Sequence, residues 1–373
     1  MGINKKVIRN EWASNTEVIR QKWPGRSPDN ESEQTAAFSQ NGRTRSKETN
    51  VNKIQYAIAA TTLVVASFPG FVCAQDTWPN KAITYVVPFP AGSNTDVLGR
   101  IIADELGKRL KVPVVIENKP GATGMIGSTY VARAKADGYT IMGGSIASHA
   151  INAGLFPNMQ YDPAGDFKPI TIIGFNANTL VVSNKSPFTD LKTIIAAARD
   201  KPDTITYASS GIGTTQHLSG VLFGQQANIK VVHVPYGGKA ALPDVMGGQV
   251  SMMFEGPTVI PHVQQKTVRA LAVTSTTRLA GLPDVPTMKE LGLPDYEMRS
   301  WQAIFAPKGT PDPIVEKLYS QIKAILDTPQ IRKKLDTMGV EPSGMPPAEF
   351  ADFQKQEIEK WRAVIKSANI KIQ

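Results

Sequence analysis

Cysteine is almost missing from this chain: among 373 residues there is only Cys73. A single cysteine excludes an intramolecular disulfide and a thiolate metal cluster. Histidine is nearly as scarce. His149, His217, His233 and His262 show neither H-x-x-x-H nor H-E-x-x-H spacing, so no structural or catalytic zinc site is expected. Basic tracts are missing too. The formal charge of +9 reflects 41 Lys/Arg against 32 Asp/Glu, but about 10 against 6 of these fall in residues 1–53. That leaves about 31 against 26 over residues 75–373, with no basic stripe carrying interleaved aromatics, and nucleic acid is not an expected partner. The apolar run Ile54–Phe68, about 15 residues, is short of the roughly 20 needed to span a bilayer.

What is present begins with an export signal in an unusual place. Residues 1–50 are polar and aperiodic, and read as disordered or as a mis-annotated extension, with translation starting at Val51. Residues 51–74 have the three parts of a cleaved signal peptide. Lys53 supplies the positive start, Ile54–Phe68 the apolar centre, and Val72-Cys73-Ala74 a small-x-small cleavage site before Gln75. A periplasmic location follows from that reading.

From Trp78 onward, strand-like and helix-like segments alternate. "AITYVVPF", "VPVVIENK" and "YTIMGG" are β-branched or apolar runs, separated by "VLGRIIADELGKRL" and "MIGSTYVARA". In the first of these two helices Val97, Leu98, Ile101, Ile102 and Leu106 share one face. This βαβαβ order predicts parallel pairing with flanking helices. "TLVVS", "LKTIIAAARD", "ITYASSGIG", "TTQHLSGVLFGQQ" and "KVVHVPY" repeat the alternation, followed by "ALPDVMGGQ", "VSMMFEG" and "VRALAVTS". A Pro/Gly-rich connection with a short helix at Thr287–Leu291 leads to a helical tail, entered at Pro311 and Pro313.

Three motif readings compete. Gly121-x-x-Gly124-x-x-Gly127 has the look of a dinucleotide loop, but position 147, about 20 residues on, is Ala rather than a ribose-binding acid. Tyr319-x-x-x-Lys323 lies in the helical tail. An oxidoreductase is therefore disfavoured and no cofactor is expected. Gly143-Gly144-Ser145-Ile146-Ala147 is one residue short of a nucleophile elbow, with His149 nearby, and Ser209-Ser210-Gly211 precedes His217. Neither arrangement brings an identifiable acid, so a serine hydrolase is disfavoured as well. The third reading rests on "VVPFPAGSNTD" and "YASSGIGTTQH". Each is a strand, a small-residue loop and a helix start, with free backbone N–H groups and the helix dipole favouring an anion. Ser93, Asn94, Thr95, Ser209 and Thr214 add neutral donors, and neither loop contains Arg or Lys. Two such loops in successive α/β units suggest a dicarboxylate gripped at both ends.

Over Trp78 to Lys371 the chain resembles the receptors of tripartite tricarboxylate transporters, the Bug-type periplasmic solute-binding proteins. The resemblance is carried by "WPNKAITYVVPFPAGSNTDVLGR", "VIENKPGATGMIGSTYVARAKADGYT", "YDPAGDFKPI", "YASSGIGTTQHLSG", "VVHVPYGGKAALPDVMGGQVSMMFEG", "LAVTSTTRLAGLPDVPTMKELG" and "APKGTP", in this order. It implies a two-lobed α/β periplasmic-binding-protein fold of the Venus-flytrap, type II-like kind, each lobe a mixed, mainly parallel sheet flanked by helices. Residues 75–178 plus 303–373 would form one lobe and 179–302 the other. A small organic carboxylate would bind in the cleft, and membrane permease subunits would receive it from a monomeric receptor. In the alternative role, the protein senses its ligand and docks on a signalling receptor.

Carried onto this sequence, the family's first ligand loop matches Phe89, Ala91, Gly92, Ser93, Asn94, Thr95 and Asp96. The second matches Ser209, Gly211, Gly213 and Thr214. Ser145, Tyr236 and Glu255 join them as candidate contacts. Asp96 is expected to organise its loop rather than touch a carboxylate, since like charges repel. Three departures bear on ligand identity. Ser93 replaces a usual glycine, Lys239 stands two places beyond the usual lysine after Tyr236, and Glu255 replaces the commoner Asp.

Overall fold

The computed structural model describes residues 78–237 and 240–371. The proposed signal segment, the extension before it and Lys239 lie outside these residues. The opening βαβαβ unit forms as expected from β1 (Ile83–Val87), α1 (Asn94–Leu110), β2 (Val114–Asn118), α2 (Met125–Ala132) and β3 (Thr140–Ser145), with β1 parallel to both β2 and β3. A π-helical turn, Ala147–Ile151, runs into α3 (Asn152–Leu155). After β4 (Phe167–Ala177) come β5 (Thr179–Ser183), α4 (Leu191–Asp200), β6 (Thr206–Ser209), α5 (Thr215–Ala227) and β7 (Val232–Pro235). These are followed by α6 (Leu242–Gly247), β8 (Met252–Glu255), α7 (Ile260–Gln264), β9 (Val268–Val273) and β10 (Arg299–Pro307). The tail comprises α8 (Asp312–Leu326), α9 (Pro329–Thr337), the short β11 (Glu341–Pro342) and α10 (Pro347–Ser367).

The strands assemble into two sheets, ordered β11-β4-β10-β3-β1-β2 and β7-β6-β8-β5-β9. Both are mixed. The antiparallel pairings belong to β4, β5, β9, β10 and β11, so the parallel share is smaller than "mainly parallel" implies. The chain crosses between sheets twice, from β4 to β5 through Asn178 and from β9 to β10 through Thr274–Met298. The crossings are tied together. The Asn178 N–H donates to Thr274 Oγ1 at 2.9 Å, the Thr274 N–H to the Asn178 carbonyl at 2.9 Å, and the Met298 N–H to the Thr274 carbonyl at 3.0 Å. The expected lobe boundary at 302/303 falls inside β10, whose residues from Arg299 on pair with the first sheet.

Each sheet buries both faces. On one side of the first sheet, Leu98, Ile102 and Leu106 of α1 and Leu318, Ile322 and Ile325 of α8 pack on Ile83, Tyr85, Val87 and Ile304. On the other, Phe350 and Trp361 of α10 meet Trp301, Phe305 and Val86. In the second sheet Leu180 and Val182 face α4 and α5, while Val181 faces Val245 of α6. A sheet covered on both faces needs apolar residues at consecutive positions, so its strands read as unbroken runs rather than alternation.

Two expectations are corrected. β4 and β10, which carry the crossings, are absent from the pattern reading: "FKPITIIGFNA" contains Pro169, and "RSWQAIFAP" has no period of two. The helix expected at Thr287–Leu291 is instead a run of turns. Thr287 and Glu290 do form a reciprocal cap, at 2.7 and 3.1 Å. Gly292, at φ +96°, and Pro294 end the segment before a helix can extend.

Candidate functional site

β1, β3, β6 and β8 all end where the sheets cross. Ser145, last in β3, is opposite Gln302 of β10, which pairs on its other side with Gly174 of β4. Glu255, last in β8, pairs with Thr179, the first residue of β5. In open α/β sheets, the crevice beyond the carboxyl ends of strands is the usual place for a ligand. The Ala147–Leu155 segment brings the halves into contact, because a Cβ on Gly213 would lie 2.5 Å from Leu155 Cδ1.

The loops entering α1 and α5 share one design. Ser93 caps α1, accepting from the Asp96 N–H at 3.3 Å, and Thr214 caps α5, accepting from the His217 N–H at 3.3 Å. Before each cap stands a glycine in the left-handed region, Gly92 at φ +82° and Gly213 at φ +79°, a conformation that disfavours a side chain. The side chain of each helix's third residue then reaches back to that glycine. Asp96 Oδ2 accepts from the Gly92 N–H at 2.9 Å, and His217 Nδ1 from the Gly213 N–H at 3.1 Å. The backbone N–H groups of Asn94 and Thr95, and of Thr215 and Gln216, have no partner among the described residues. Each helix therefore opens with two unused donors at the positive end of its dipole, an arrangement suited to an anion.

The supports behind the loops differ. Asp96 is buried and receives Arg100 Nε and Nη2 at 2.9 and 3.0 Å, with Asn118 Nδ2 at 2.8 Å. Arg100 above all, with the Gly92 N–H and Asn118, holds its carboxyl down to about 2 against the opposing effect of burial. Asn118 Nδ2 also donates to the Phe89 carbonyl at 3.1 Å, tying β2 to the first loop. These bonds tie Asp96 into the framework of the first loop.

Behind the second loop the groups are neutral. His217 and His233 stack at 3.9 Å between ring centroids, and burial lowers the pKa of each to about 4, with each other's proximity adding to the effect at His217. Ser209 Oγ is within hydrogen-bond distance of His233 Nε2 at 2.6 Å and also bonds Gly211. Thr214 Oγ1 donates to the Gly211 carbonyl at 2.8 Å. The Ser210 N–H donates to Gln216 Oε1 at 2.6 Å, and Gln216 Nε2 to Glu255 Oε2 at 2.9 Å. Burial pushes the Glu255 carboxyl up, opposed by bonds from the Gly256 N–H, Thr258 and Gln216. Glu255, Gln216 and Ser210 line a recess of about 400 Å³.

Several expected ligand groups are already engaged. The hydroxyls of Ser209 and Thr214 and the N–H groups of Gly211 and Gly213 are spent within the second loop, so these four residues shape it. Tyr236 donates its hydroxyl to Asp244 Oδ2 at 2.6 Å, and that carboxylate pushes the phenol up to about 12. In the first loop Ser93 uses only its acceptor side, leaving a hydroxyl donor. Asn94 Nδ2 reaches Asn176 Oδ1 at 3.3 Å, and Thr95 Oγ1 donates to Gln302 Oε1 at 2.6 Å.

Ser145 Oγ is buried without a partner. The serine–histidine pairs expected from spacing are exchanged: Ser148, not Ser145, bonds His149 at 2.9 Å, and Ser209 bonds His233, not His217. No carboxylate among the described residues orients either ring, and His149, stacked 4.0 Å from Phe305, is held neutral by burial at about 3. "PGATGMIG" serves packing. A Cβ on Gly127 would lie 2.8 Å from Pro88 Cα, and one on Gly124 3.0 Å from Phe89 Cζ, so the segment buttresses the first loop. Sequence reasoning missed Arg100, Asn118, Gln216, His233 and Gln302, whose roles depend on contacts between distant segments.

Two mixed sheets joined by paired crossings, with helix N-termini at the crossing, define a two-lobed binding protein. A family model described as "Tripartite tricarboxylate transporter family receptor" matches residues 98–370, and the chain belongs to this family of periplasmic solute-binding receptors. Among relatives, it is 38% identical over 293 residues to the "UPF0065 protein in tcbD-tcbE intergenic region" of Pseudomonas sp. (strain P51), covering 78% of this chain and 87% of that one. It is 33% identical over 300 residues to "Protein BugT" of Bordetella pertussis, covering 80% and 92%. Among solved structures it is similar to "R. palustris Rpa4515 with adipate", at TM-score 0.69 and 38% identity, covering 79% of this chain and 99% of that one. It is also similar to "MatC (Rpa3494) from Rhodopseudomonas palustris with bound malate", at 0.65 and 32%, covering 77% and 99%.

Proposed function

We infer that this protein captures a small organic dicarboxylate between its two sheets and passes it to the membrane permease subunits of a tripartite tricarboxylate transporter. The observation that carries this reading is the matched pair of helix N-termini, each with two unpartnered backbone N–H groups beside the crossing. One carboxylate would sit on the amides of Asn94 and Thr95 with the Ser93 hydroxyl, and the other on those of Thr215 and Gln216. Adipate and malate in two similar structures support the ligand class. Residues 75 to about 178 with the tail from β10 would move as one lobe and the intervening residues as the other, after export through the signal segment at 51–74.

The energetics are adequate. Micromolar binding is about −8 kcal/mol. Charge-assisted hydrogen bonds of roughly 1.5–3 kcal/mol each, four or more in number, reach this after ordering costs. Lobe closure would strengthen them by expelling water.

A thermal-shift panel of di-, tri- and aromatic carboxylates with amino acids, followed by calorimetry, tests the reading. A dicarboxylate at 100 times its Kd is expected to raise the melting temperature by about 5 °C. A panel in which no carboxylate shifts the transition overturns it.

A further inference from the structure

The first sheet contributes a polar floor that the two loops do not account for. Gln302, in β10, is 5% exposed and sits opposite Ser145 of β3. Thr95, second residue of α1, donates its hydroxyl to Gln302 Oε1 at 2.6 Å. That bond holds the amide with its oxygen toward Thr95 and its nitrogen turned away. The amide nitrogen, which carries two N–H donors, has no partner among the described residues. Across the strand pair, Ser145 Oγ is buried and equally unpartnered.

Gly143 shares the face of β3 with Ser145, two residues on. A Cβ there would lie 3.1 Å from Thr95 Cγ2, so this face lies directly against the start of α1. Thr95 also supplies one of the unused backbone N–H groups. Neutral donors from three elements therefore converge at the N-terminus of a 17-residue helix. Unused polar groups in a near-buried position are rare in native proteins, and each asks for a partner. The closest cation on α1, Arg100, is committed to Asp96.

We propose that Gln302 is a ligand-contacting, specificity-determining residue: its Nε2 donates to the carboxylate seated on the Asn94 and Thr95 amides, with Ser145 Oγ as a neighbouring donor. This rests on the carboxylate reading and adds a limit to it. The donors gathered at the first-sheet end of the cleft favour a carboxylate there over an ammonium group. A ligand carrying an amino group would then turn it toward the second sheet.

Calorimetry on the full chain with adipate and malate as probes decides the matter. Gln302→Glu keeps the shape and replaces two donors with an anion. It is expected to bind at least about 30-fold more weakly at pH 8. Binding should partly recover toward pH 6 as the introduced carboxyl takes up a proton, a recovery a merely structural role would not produce. Gln302→Met, uncharged and similar in size, covers the case in which Gln302→Glu does not fold. It is expected to bind about 10-fold more weakly, with a melting temperature lowered by only a few degrees as the Thr95 hydroxyl loses its acceptor. Unchanged affinity in Gln302→Met, or in a folded Gln302→Glu at pH 8, overturns the proposal and leaves the carboxylate reading standing. An unaltered protein that binds no carboxylate of the panel overturns both.

Discussion

The two candidate loops are alike in backbone and opposite in support. Each has a left-handed glycine, a hydroxyl cap and a third helical residue that reaches back to the glycine N–H. In the first loop that residue is Asp96, an anion locked by Arg100; in the second it is His217, a neutral ring stacked on His233. The same geometric task is thus done once by a fixed charge and once by a titratable group. Neither support changes charge near neutral pH, but the histidines do so at about 4 and Asp96 only at about 2.

The comparison breaks most readily at Asp96. Asp96→Ala removes the carboxylate that Arg100, the Gly92 N–H and Asn118 all bond, leaving Arg100 only the Asn118 oxygen. We expect about 2–3 kcal/mol of lost stability in urea denaturation, and a melting curve within a degree or two of the unaltered protein would contradict the support role.

Next in size is the pair of glycines. Gly213→Ala meets both an unfavourable φ and Leu155 and is expected to cost about 2–3 kcal/mol, whereas Gly92→Ala, with open space around its Cβ, costs about 1–2 kcal/mol from the backbone alone. Equal losses in chemical denaturation would mean that the contact with Leu155 is soft.

The pH dependence separates the supports further. His217 and His233 fall from an ordinary value near 6.5 to about 4 in the folded protein. Between those values the unfolded chain binds more protons, so stability drops as pH falls from about 6.5 to 4. Asp96, depressed to about 2, keeps its contribution above the ordinary carboxylate value of about 3.9 and loses it progressively as pH falls from there through about 2. His217→Gln retains a side-chain acceptor without the titration and should make the decline between pH 6.5 and 4 shallower in thermal melts, with His233 and His149 supplying the rest. An unaltered slope would place the titration elsewhere.

The smallest effect is expected at Tyr236, whose hydroxyl is already given to Asp244. Tyr236→Phe should change ligand affinity by less than about two-fold and stability by about 1 kcal/mol or less. A five-fold loss of affinity would show that the phenol turns to the ligand.

Most of the helices and parallel strands were legible because their patterns are local. The apolar face of α1 and the β-branched run of β1 follow from spacing alone. β4 and β10 were not legible. Buried on both faces, they show no alternation, and Pro169 argues against a strand until the register with β10 is known. The candidate loops were readable from their small residues and caps. Which of their donors remain unused was not, because that depends on His217, Gln216 and Thr95 folding back onto groups several residues or a whole sheet away. Gln302 carried no sequence signal beyond a polar residue in an apolar strand.

The bolt formed by Asn178, Thr274 and Met298 has a consequence for measurement. Both crossings are fastened at one level, so a distance measured across that level would be sensitive to any rotation of one sheet against the other. No cysteine occurs after Cys73. A pair of cysteines introduced on exposed positions, one on each side of the bolt, would label cleanly there, and their separation with and without ligand would show whether the sheets turn.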